Sequence, residues 1–241
     1  MLTIIQAASR RGPITRYEPT VAPDGRTVGA EALARVPGHR PQELLAWAHE
    51  HGELAALHRE LLADALARRP IGAGWLAVNF EPDVINELAA ELAALPAQVE
   101  APLALELTER SAPGITVALA PTLTALVGAG WRLHLDDCDD RPELKAELAV
   151  LPVAALKCSR TLTARAMFGD PTGATRPTAA RAALSELADR AASIGAEFIV
   201  EGIESAAELA GLRRLLPTAL AQGWVFTPLS PAGHPRGPDE P

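Results

Sequence analysis

The sequence has few of the features that mark several large classes of protein. Its 241 residues include two cysteines, Cys138 and Cys158, which are too few for a disulfide framework and too far apart for a zinc knuckle. Aromatic residues make up 4% of the chain. No apolar run is long enough to cross a bilayer. We therefore expect a reduced, cytoplasmic protein that has no membrane partner.

An excess of positive charge is also missing. The chain carries 22 Lys and Arg against 30 Asp and Glu, a formal net charge of -8. Nucleic-acid polymers are bound largely through their phosphates by basic side chains, so we expect no such partner. The sequence also has no nucleophile elbow, Walker loop or dinucleotide fingerprint. A small anion held through metal ions is compatible with this charge.

The chain does contain a repeating unit, a helix followed by a short apolar strand. Two strands come first, at 14–21 and 27–33, and a helical region at 43–69 follows with a break at His51-Gly52. The later strands are predicted near 75–78, 102–105, 131–135, 153–156, 197–200 and 219–221, with helices near 82–95, 115–127, 179–193 and 206–216. This alternation predicts an α/β fold with a mostly parallel sheet. About eight strands indicate a TIM-like (β/α)8 barrel.

The barrel is expected to occupy residues 14–230. Residues 1–13 are interpreted as an N-terminal extension, and residues 231–241 as a Pro- and Gly-rich tail. The segment 168–178 is rich in Gly and Pro and is expected to be a flexible loop.

Polar residues directly follow the apolar strands. The stretch from Trp131 to Asp140 is the clearest example, because a buried strand ends there in the adjacent carboxylates Asp136 and Asp137. A solvated acidic turn would explain one such pair. Polar residues at several strand ends would instead meet at the C-terminal mouth of a barrel, where active sites are built. Since neighbouring carboxylates repel unless a cation lies between them, the pattern favours a shared metal site.

Taken in order, these strand ends resemble the EAL family of cyclic di-GMP phosphodiesterases. The matching motifs are Glu31-Ala32-Leu33, Val78-Asn79-Phe80, Leu105-Glu106-Leu107-Thr108-Glu109, Asp136-Asp137, Leu156-Lys157, Val200-Glu201-Gly202-Ile203-Glu204 and Gln222-Gly223. Each motif alone is weak, but their order and spacing together are specific. The resemblance implies a barrel whose first strand is antiparallel to the others.

The resemblance also implies two Mg²⁺ or Mn²⁺ ions and a role for each matched residue. The metal ligands would be Glu31, Asn79, Glu106, Asp136, Asp137 and Glu201. Lys157 and Glu201 would be catalytic, with Lys157 orienting or helping to deprotonate the attacking water and Glu201 also a candidate base. Substrate contacts would come from Arg35, Glu18 and Gln222, and supporting contacts from Glu109 and Glu204. Cyclic di-GMP would be cleaved to linear pGpG.

The sequence departs from the family pattern at three places. The loop after the Asp pair, residues 138–144, replaces a Phe-Gly-Thr-Gly-type loop with Cys138, further carboxylates and a proline. Glu18 stands where the family has Gln, and a carboxylate offers only acceptors to a guanine. Ser159 stands where an Asp follows the Lys.

Two functions therefore compete at the level of sequence. One is a working phosphodiesterase, favoured because carboxylates in a barrel mouth repel one another without metal. The other is a catalytically degenerate module that binds cyclic di-GMP or a protein partner as a sensor. Another metal-dependent barrel enzyme is a third reading. A homodimer is implied by the resemblance, and a regulatory protein partner is expected to supply the input signal.

Overall fold

Eight strands close into a barrel, and helices cover its outside. The computed structural model describes residues 14–36, 38–70, 72, 74–107, 115–139, 142–169 and 177–230. The strands are β1 Ile14–Val21, β2 Thr27–Arg35, β3 Trp75–Phe80, β4 Leu103–Leu107, β5 Trp131–Leu135, β6 Ala155–Cys158, β7 Glu197–Val200 and β8 Leu220–Gln222. The helices of the described residues are α1 Pro41–Glu50, α2 Leu54–Ala67, α3 Pro82–Ala94, α4 Ile115–Ala118, α5 Ala120–Gly128, α6 Pro142–Val150, α7 Arg160–Phe168, α8 Pro177–Ser193 and α9 Ala206–Leu215.

The strand order confirms the predicted barrel. Each strand pairs with the next along the chain, and β1 closes the barrel against β8. β1 is antiparallel to both β2 and β8, and the other neighbours that are paired are parallel. The antiparallel first strand is therefore confirmed. Because β2 to β8 run in one direction, their C-terminal ends meet at a single mouth.

Two helical regions show how local chemistry sets element boundaries. The predicted break at His51-Gly52 is confirmed, since α1 ends before it and Gly52 has φ +68°, a conformation that glycine adopts without steric cost. The helix predicted at 115–127 is instead divided into α4 and α5. Pro121 lies in the first turn of α5, where its missing N–H costs nothing, whereas in the middle of a longer helix it would remove a hydrogen bond.

The described part of the chain contains no helix that is both long and apolar enough to cross a membrane. Its apolar residues form two buried clusters. The larger one lies between the strands and the surrounding helices, and the smaller one comprises Ala22, Trp75, Ala77, Ala104, Ala155, Ile199 and Leu220. Inward-facing strand residues make the smaller cluster, so it fills the barrel below the mouth. The polar side chains at the mouth consequently rest on an apolar floor.

Trp75 makes the closest packing contact of this floor, against Gly29 on the neighbouring strand. A Cβ atom added at Gly29 would overlap the indole ring of Trp75. We predict that Gly29→Ala lowers the free energy of unfolding by about 1–3 kcal/mol, because a packed interior has no room for the methyl group. Urea denaturation measures the change.

Gly128→Ala is the matched control for that substitution. Gly128 is the last residue of α5, and an added Cβ there would meet no atom within 4 Å. Since alanine favours a helix over glycine, this variant should be stabilised by about 0.5–1 kcal/mol. Equal effects of the two substitutions would show that Trp75 does not pack as described.

Candidate metal centre at the barrel mouth

One layer of polar side chains lies at the C-terminal mouth of the barrel, and nearly every strand contributes to it. The parallel register places Asn79 of β3 opposite Glu106 of β4, and Glu31 of β2 opposite Ala77 of β3. Side chains that are distant in sequence are therefore brought to the same end of the barrel. Glu31, Glu106, Lys157 and Gln222 are buried although they are charged or polar. Buried charges need partners, and these residues supply them to one another.

Lys157 lies at the centre of the layer. Its Nζ atom is 2.7 Å from Glu201, 3.0 Å from Glu31 and 3.4 Å from Asp136, and it also donates to Glu106. The side chain is 1% exposed. Burial by itself would lower the pKa of Lys157, but the four carboxylates, Asp136 first, outweigh burial and hold that pKa well above its usual value. The ammonium group is therefore the cation that these four carboxylates share.

Glu31 is the most firmly held of the carboxylates. Its Oε1 accepts from Nδ2 of Asn79 at 2.7 Å, and its Oε2 accepts from Nε2 of Gln222 at 2.6 Å. The hydroxyl of Thr20 in turn donates to Oε1 of Gln222 at 3.2 Å. Burial would raise the pKa of Glu31, yet Lys157 and these amide donors together lower it. Asn79 uses its amide nitrogen here, which is compatible with a ligand role for its amide oxygen.

The remaining carboxylates are less well compensated. Burial, followed by the charge of Glu31, raises the pKa of Glu106 well above its usual value. Among the described residues, Oε2 of Glu106 has no hydrogen-bond partner, and Oδ1 of Asp136 has only the ion-pair contact with Lys157. Burial is also the main cause that raises the pKa of Glu201 to about 8, against the opposing charge of Lys157. These carboxylates have spare acceptor capacity.

The geometry of the carboxylates fits a metal ion. Glu31, Glu106 and Glu201 each offer an oxygen, and these atoms lie within 4.8 Å of one another. The same limit holds for Asp136, Asp137 and Glu201. The two sets share Glu201, and all their donors are hard carboxylate oxygens of the kind that divalent cations of the Mg²⁺ class prefer. This acidic cluster could therefore bind a metal ion.

The backbone conformation at Asp137 explains how two adjacent residues, Asp136 and Asp137, can both contribute oxygens to one group of carboxylates. Successive residues of a strand point to opposite faces, so Asp136 and Asp137 would normally diverge. Asp137 instead has φ +48°, a left-handed conformation that Asp tolerates better than most residues. This turn ends the strand and brings both carboxylates toward Glu201.

The residues matched to substrate and supporting roles lie around this centre at different distances. Arg35 lines a cavity of about 300 Å³ that also contacts Glu31, Asn79, Asp136 and Asp137. Glu18 pairs across the strands with Glu31, and burial, followed by the charge of Glu31, raises its pKa. Glu204 contacts Arg160 at the rim. Glu109 lies outside the described residues.

Two further features of the mouth were not predicted from the sequence. Thr20 supports Gln222, and its position two residues after Glu18 on β1, where alternate residues face inward, is a signal that could have revealed it. The guanidinium group of Arg160 lies 5.2 Å from the ring centre of Trp224. This contact joins segments that are far apart in sequence, and no local pattern predicts it.

The fold and the site together define the class of protein. A closed barrel with a carboxylate cluster at its C-terminal mouth is an arrangement on which barrel enzymes build active sites. The EAL domain family model matches residues 3–228, nearly the whole chain. The chain therefore belongs to the EAL domain family, as its motifs indicated.

Solved structures agree with this assignment. The PaMucR phosphodiesterase, solved as a c-di-GMP complex, is 25% identical, with a TM-score of 0.77 over 93% of this chain and 95% of that one. The FimX EAL domain from Pseudomonas aeruginosa, bound to c-di-GMP, is 18% identical, with a TM-score of 0.75 over 93% of each chain. BlrP1 from Klebsiella pneumoniae, a calcium and c-di-GMP complex, is 24% identical, with a TM-score of 0.74 over 92% of this chain and 57% of that one. The last two show likeness of fold alone. No curated protein sequence matches significantly.

Removing the central cation should destabilise the metal-free protein. We predict that Lys157→Met lowers the free energy of unfolding by about 3–5 kcal/mol, because two buried and two partly buried carboxylates lose their shared partner. Denaturation in EDTA measures the loss. The control is Arg59→Met, which removes an ion pair with Glu91 at 2.8 Å on the surface and should cost far less. A loss no larger than that of the control would contradict the central role of Lys157.

Raising the pH should also weaken the metal-free protein, because of Glu201. The folded pKa of Glu201 is about 8 against an ordinary value of 4.5, so between these values the folded protein holds a proton that the unfolded chain has released. The free energy of unfolding therefore falls as the pH rises through this window. Thermal unfolding in EDTA across the window measures the slope. Glu201→Gln should flatten it, and an unchanged slope would exclude Glu201 as its source.

Proposed function

We propose that this chain is a metal-dependent phosphodiesterase that hydrolyses cyclic di-GMP to linear pGpG. The observation that carries the proposal is the convergence of four carboxylates on the buried Lys157, with Asp137 beside them, at the mouth of an EAL-family barrel. Support for the substrate comes from the PaMucR phosphodiesterase, which is 25% identical and was solved as a c-di-GMP complex. A protein without a cation site would gain nothing from this arrangement, since the carboxylates repel one another.

Two Mg²⁺ or Mn²⁺ ions are the proposed cofactors. Their ligands would be Glu31, Asn79, Glu106, Asp136, Asp137 and Glu201, which all offer oxygen donors. When bound, such ions supply a water of lowered pKa and neutralise the charge that develops on the phosphate. They also compensate for the net negative charge of the mouth, which would otherwise repel a dianionic substrate.

Lys157 and Glu201 are the proposed catalytic pair. Hydrolysis adds water across one phosphodiester bond, so a proton must leave the attacking water and one must reach the departing ribose oxygen. Glu201 is the proposed acceptor of the first proton, because its carboxylate lies at the mouth, in both sets of candidate metal ligands. The ammonium group of Lys157, 2.7 Å from Glu201, orients the water beside that base.

Arg35, Glu18 and Gln222 are the proposed substrate contacts. The guanidinium group of Arg35 lies at the edge of the cavity that opens on the carboxylates, and it is suited to pair with a phosphate. Glu18 of β1 lies opposite Glu31 of β2, and Gln222 of β8 donates a hydrogen bond to Glu31. The supporting roles of Glu109 and Glu204 stay predictions from the sequence.

A second function, binding without turnover, is favoured by the substitutions at residues 138–144, although the structure places the last three of these residues at the start of α6. This loop directly follows the Asp pair, so a change in its path would displace two proposed ligands. In that case the chain would bind cyclic di-GMP as a sensor and signal to a protein partner.

Direct assay separates the two functions. Purified protein is incubated with cyclic di-GMP and Mg²⁺ or Mn²⁺, and the nucleotides are resolved by chromatography. We expect pGpG from the wild type and a loss of at least about 100-fold in rate for Glu31→Ala, because a metal ligand is removed. Glu87→Ala, which removes an exposed carboxylate that pairs with Arg59 on the outer helices, is the control and should be fully active.

Binding without turnover would contradict the enzymatic function. Binding of cyclic di-GMP by calorimetry, without pGpG in either metal, would leave the sensor as the function. If the wild type neither binds nor cleaves the dinucleotide, the enzyme and the cyclic di-GMP sensor are both excluded, and binding of a protein partner stands as the function.

A further inference from the structure

The loop after β5 is closely held although its sequence departs from the family pattern. The backbone N–H of Asp136 donates to the carbonyl of Leu107 at 3.2 Å, and that of Cys138 donates to the carbonyl of Lys157 at 2.8 Å. Cys138 is fully buried. These bonds extend the pairing of β5 with its neighbours past the end of the strand, so the loop begins in a fixed position.

Asp139 then joins this loop to the start of α7 through Ser159. Oδ2 of Asp139 accepts a hydrogen bond from the hydroxyl of Ser159 at 2.9 Å, and Oδ1 lies 3.4 Å from the backbone nitrogen of Ser159. The Ser159 hydroxyl also accepts from the backbone N–H of Leu162 at 3.0 Å, as the N-cap of α7. Ser159 is buried. A carboxylate beside a helix N-terminus is additionally stabilised by the helix dipole.

We propose that Asp139 and Ser159 are positioning residues that hold Asp136 and Asp137 beside Lys157. Asp139 is two residues beyond Asp137, and Ser159 is two residues beyond Lys157. The hydrogen bonds between Asp139 and Ser159 therefore connect the segment that follows β5 to the segment that follows β6. The left-handed turn at Asp137 needs such an anchor, because it is less stable than an extended backbone for a residue other than glycine.

The catalytic consequence rests on the proposed function, but the structural consequence does not. If Asp139 is held by Ser159, the Asp pair stays in place without the flexible glycines of the family pattern. Loss of the pair frees Asp136 and Asp137 while leaving Glu31, Glu106 and Glu201 in place.

Metal affinity of the full chain is the first test. Mn²⁺ binding is measured by calorimetry for the wild type, Asp139→Ala, Ser159→Ala and the double variant. Each single variant should bind Mn²⁺ about 10- to 100-fold more weakly. The double variant should match the weaker single variant within about twofold, because both substitutions break one interaction. Additive losses, or unchanged affinities in the single variants, would overturn the proposal.

An exchange of the two side chains gives a rescue test. Ser159→Asp alone places two carboxylates opposite each other and should weaken Mn²⁺ binding at least as much as Ser159→Ala. Adding Asp139→Ser rebuilds a carboxylate–hydroxyl pair with the partners reversed, and affinity should return to within about tenfold of the wild type. If the single substitutions only destabilised the protein, the double substitution would not restore Mn²⁺ affinity. The control is Thr122→Ala, which removes a side-chain hydrogen bond to Asn86 at 2.7 Å far from the mouth and should leave Mn²⁺ affinity unchanged.

Amide hydrogen exchange of the metal-free protein tests the positioning role of Asp139 and Ser159 without metal or substrate. The amide of Cys138 should exchange at least about tenfold faster in Asp139→Ala than in the wild type, because the loop opens more often. Unchanged exchange overturns the proposal whatever the wild type does with Mn²⁺. If exchange and Mn²⁺ affinity respond as expected but the wild type makes no pGpG, the proposed function fails and the positioning role stands.

Discussion

The ion pairs of Lys157 with Glu31, Glu106, Asp136 and Glu201 are the interaction on which the rest of the site depends. A buried ammonium or carboxylate is tolerated only with partners, and the four partners of Lys157 come from β2, β4 and the ends of β5 and β7. Lys157 and Glu31 are 126 residues apart in sequence. The barrel brings them together, and β1 closes it against β8.

The same charges destabilise the metal-free mouth and leave it able to bind a cation. One ammonium cannot satisfy all the carboxylates, and this explains why burial still raises the pKa of Glu106 and Glu201 while that of Glu31 is lowered by its amide donors and Lys157. Protons and metal ions compete for such groups. Below this layer the barrel holds an apolar cluster of alanines, Trp75, Ile199 and Leu220, and the buried His134 pairs in register with Glu106. The acidic cluster at the mouth could therefore bind a cation.

Much of the fold was predictable because it is recorded in local patterns. Short apolar strands between helices gave the barrel, and one polar residue at each strand end gave the mouth, since parallel strands present those ends together. The split at Pro121 was missed although proline chemistry accounts for it, and the short helices α6 and α7 were not predicted because nine residues show little periodicity. The central position of Lys157 and the pairing of Asp139 with Ser159 depend on register between strands, which single-chain patterns do not contain. The role of Glu109 stays a prediction from the sequence.

The central claim, that the carboxylates around Lys157 form a metal centre, is tested most directly by X-ray diffraction from crystals grown with Mn²⁺, using the anomalous signal of manganese. The metal-site interpretation predicts anomalous peaks between Glu31, Glu106 and Glu201 and between Asp136, Asp137 and Glu201, the two sets whose oxygens lie within 4.8 Å. It also predicts that the Lys157 ammonium moves away from at least one carboxylate, since a cation takes its place. A mouth without manganese, with Lys157 still at 2.7 Å from Glu201, would contradict the claim.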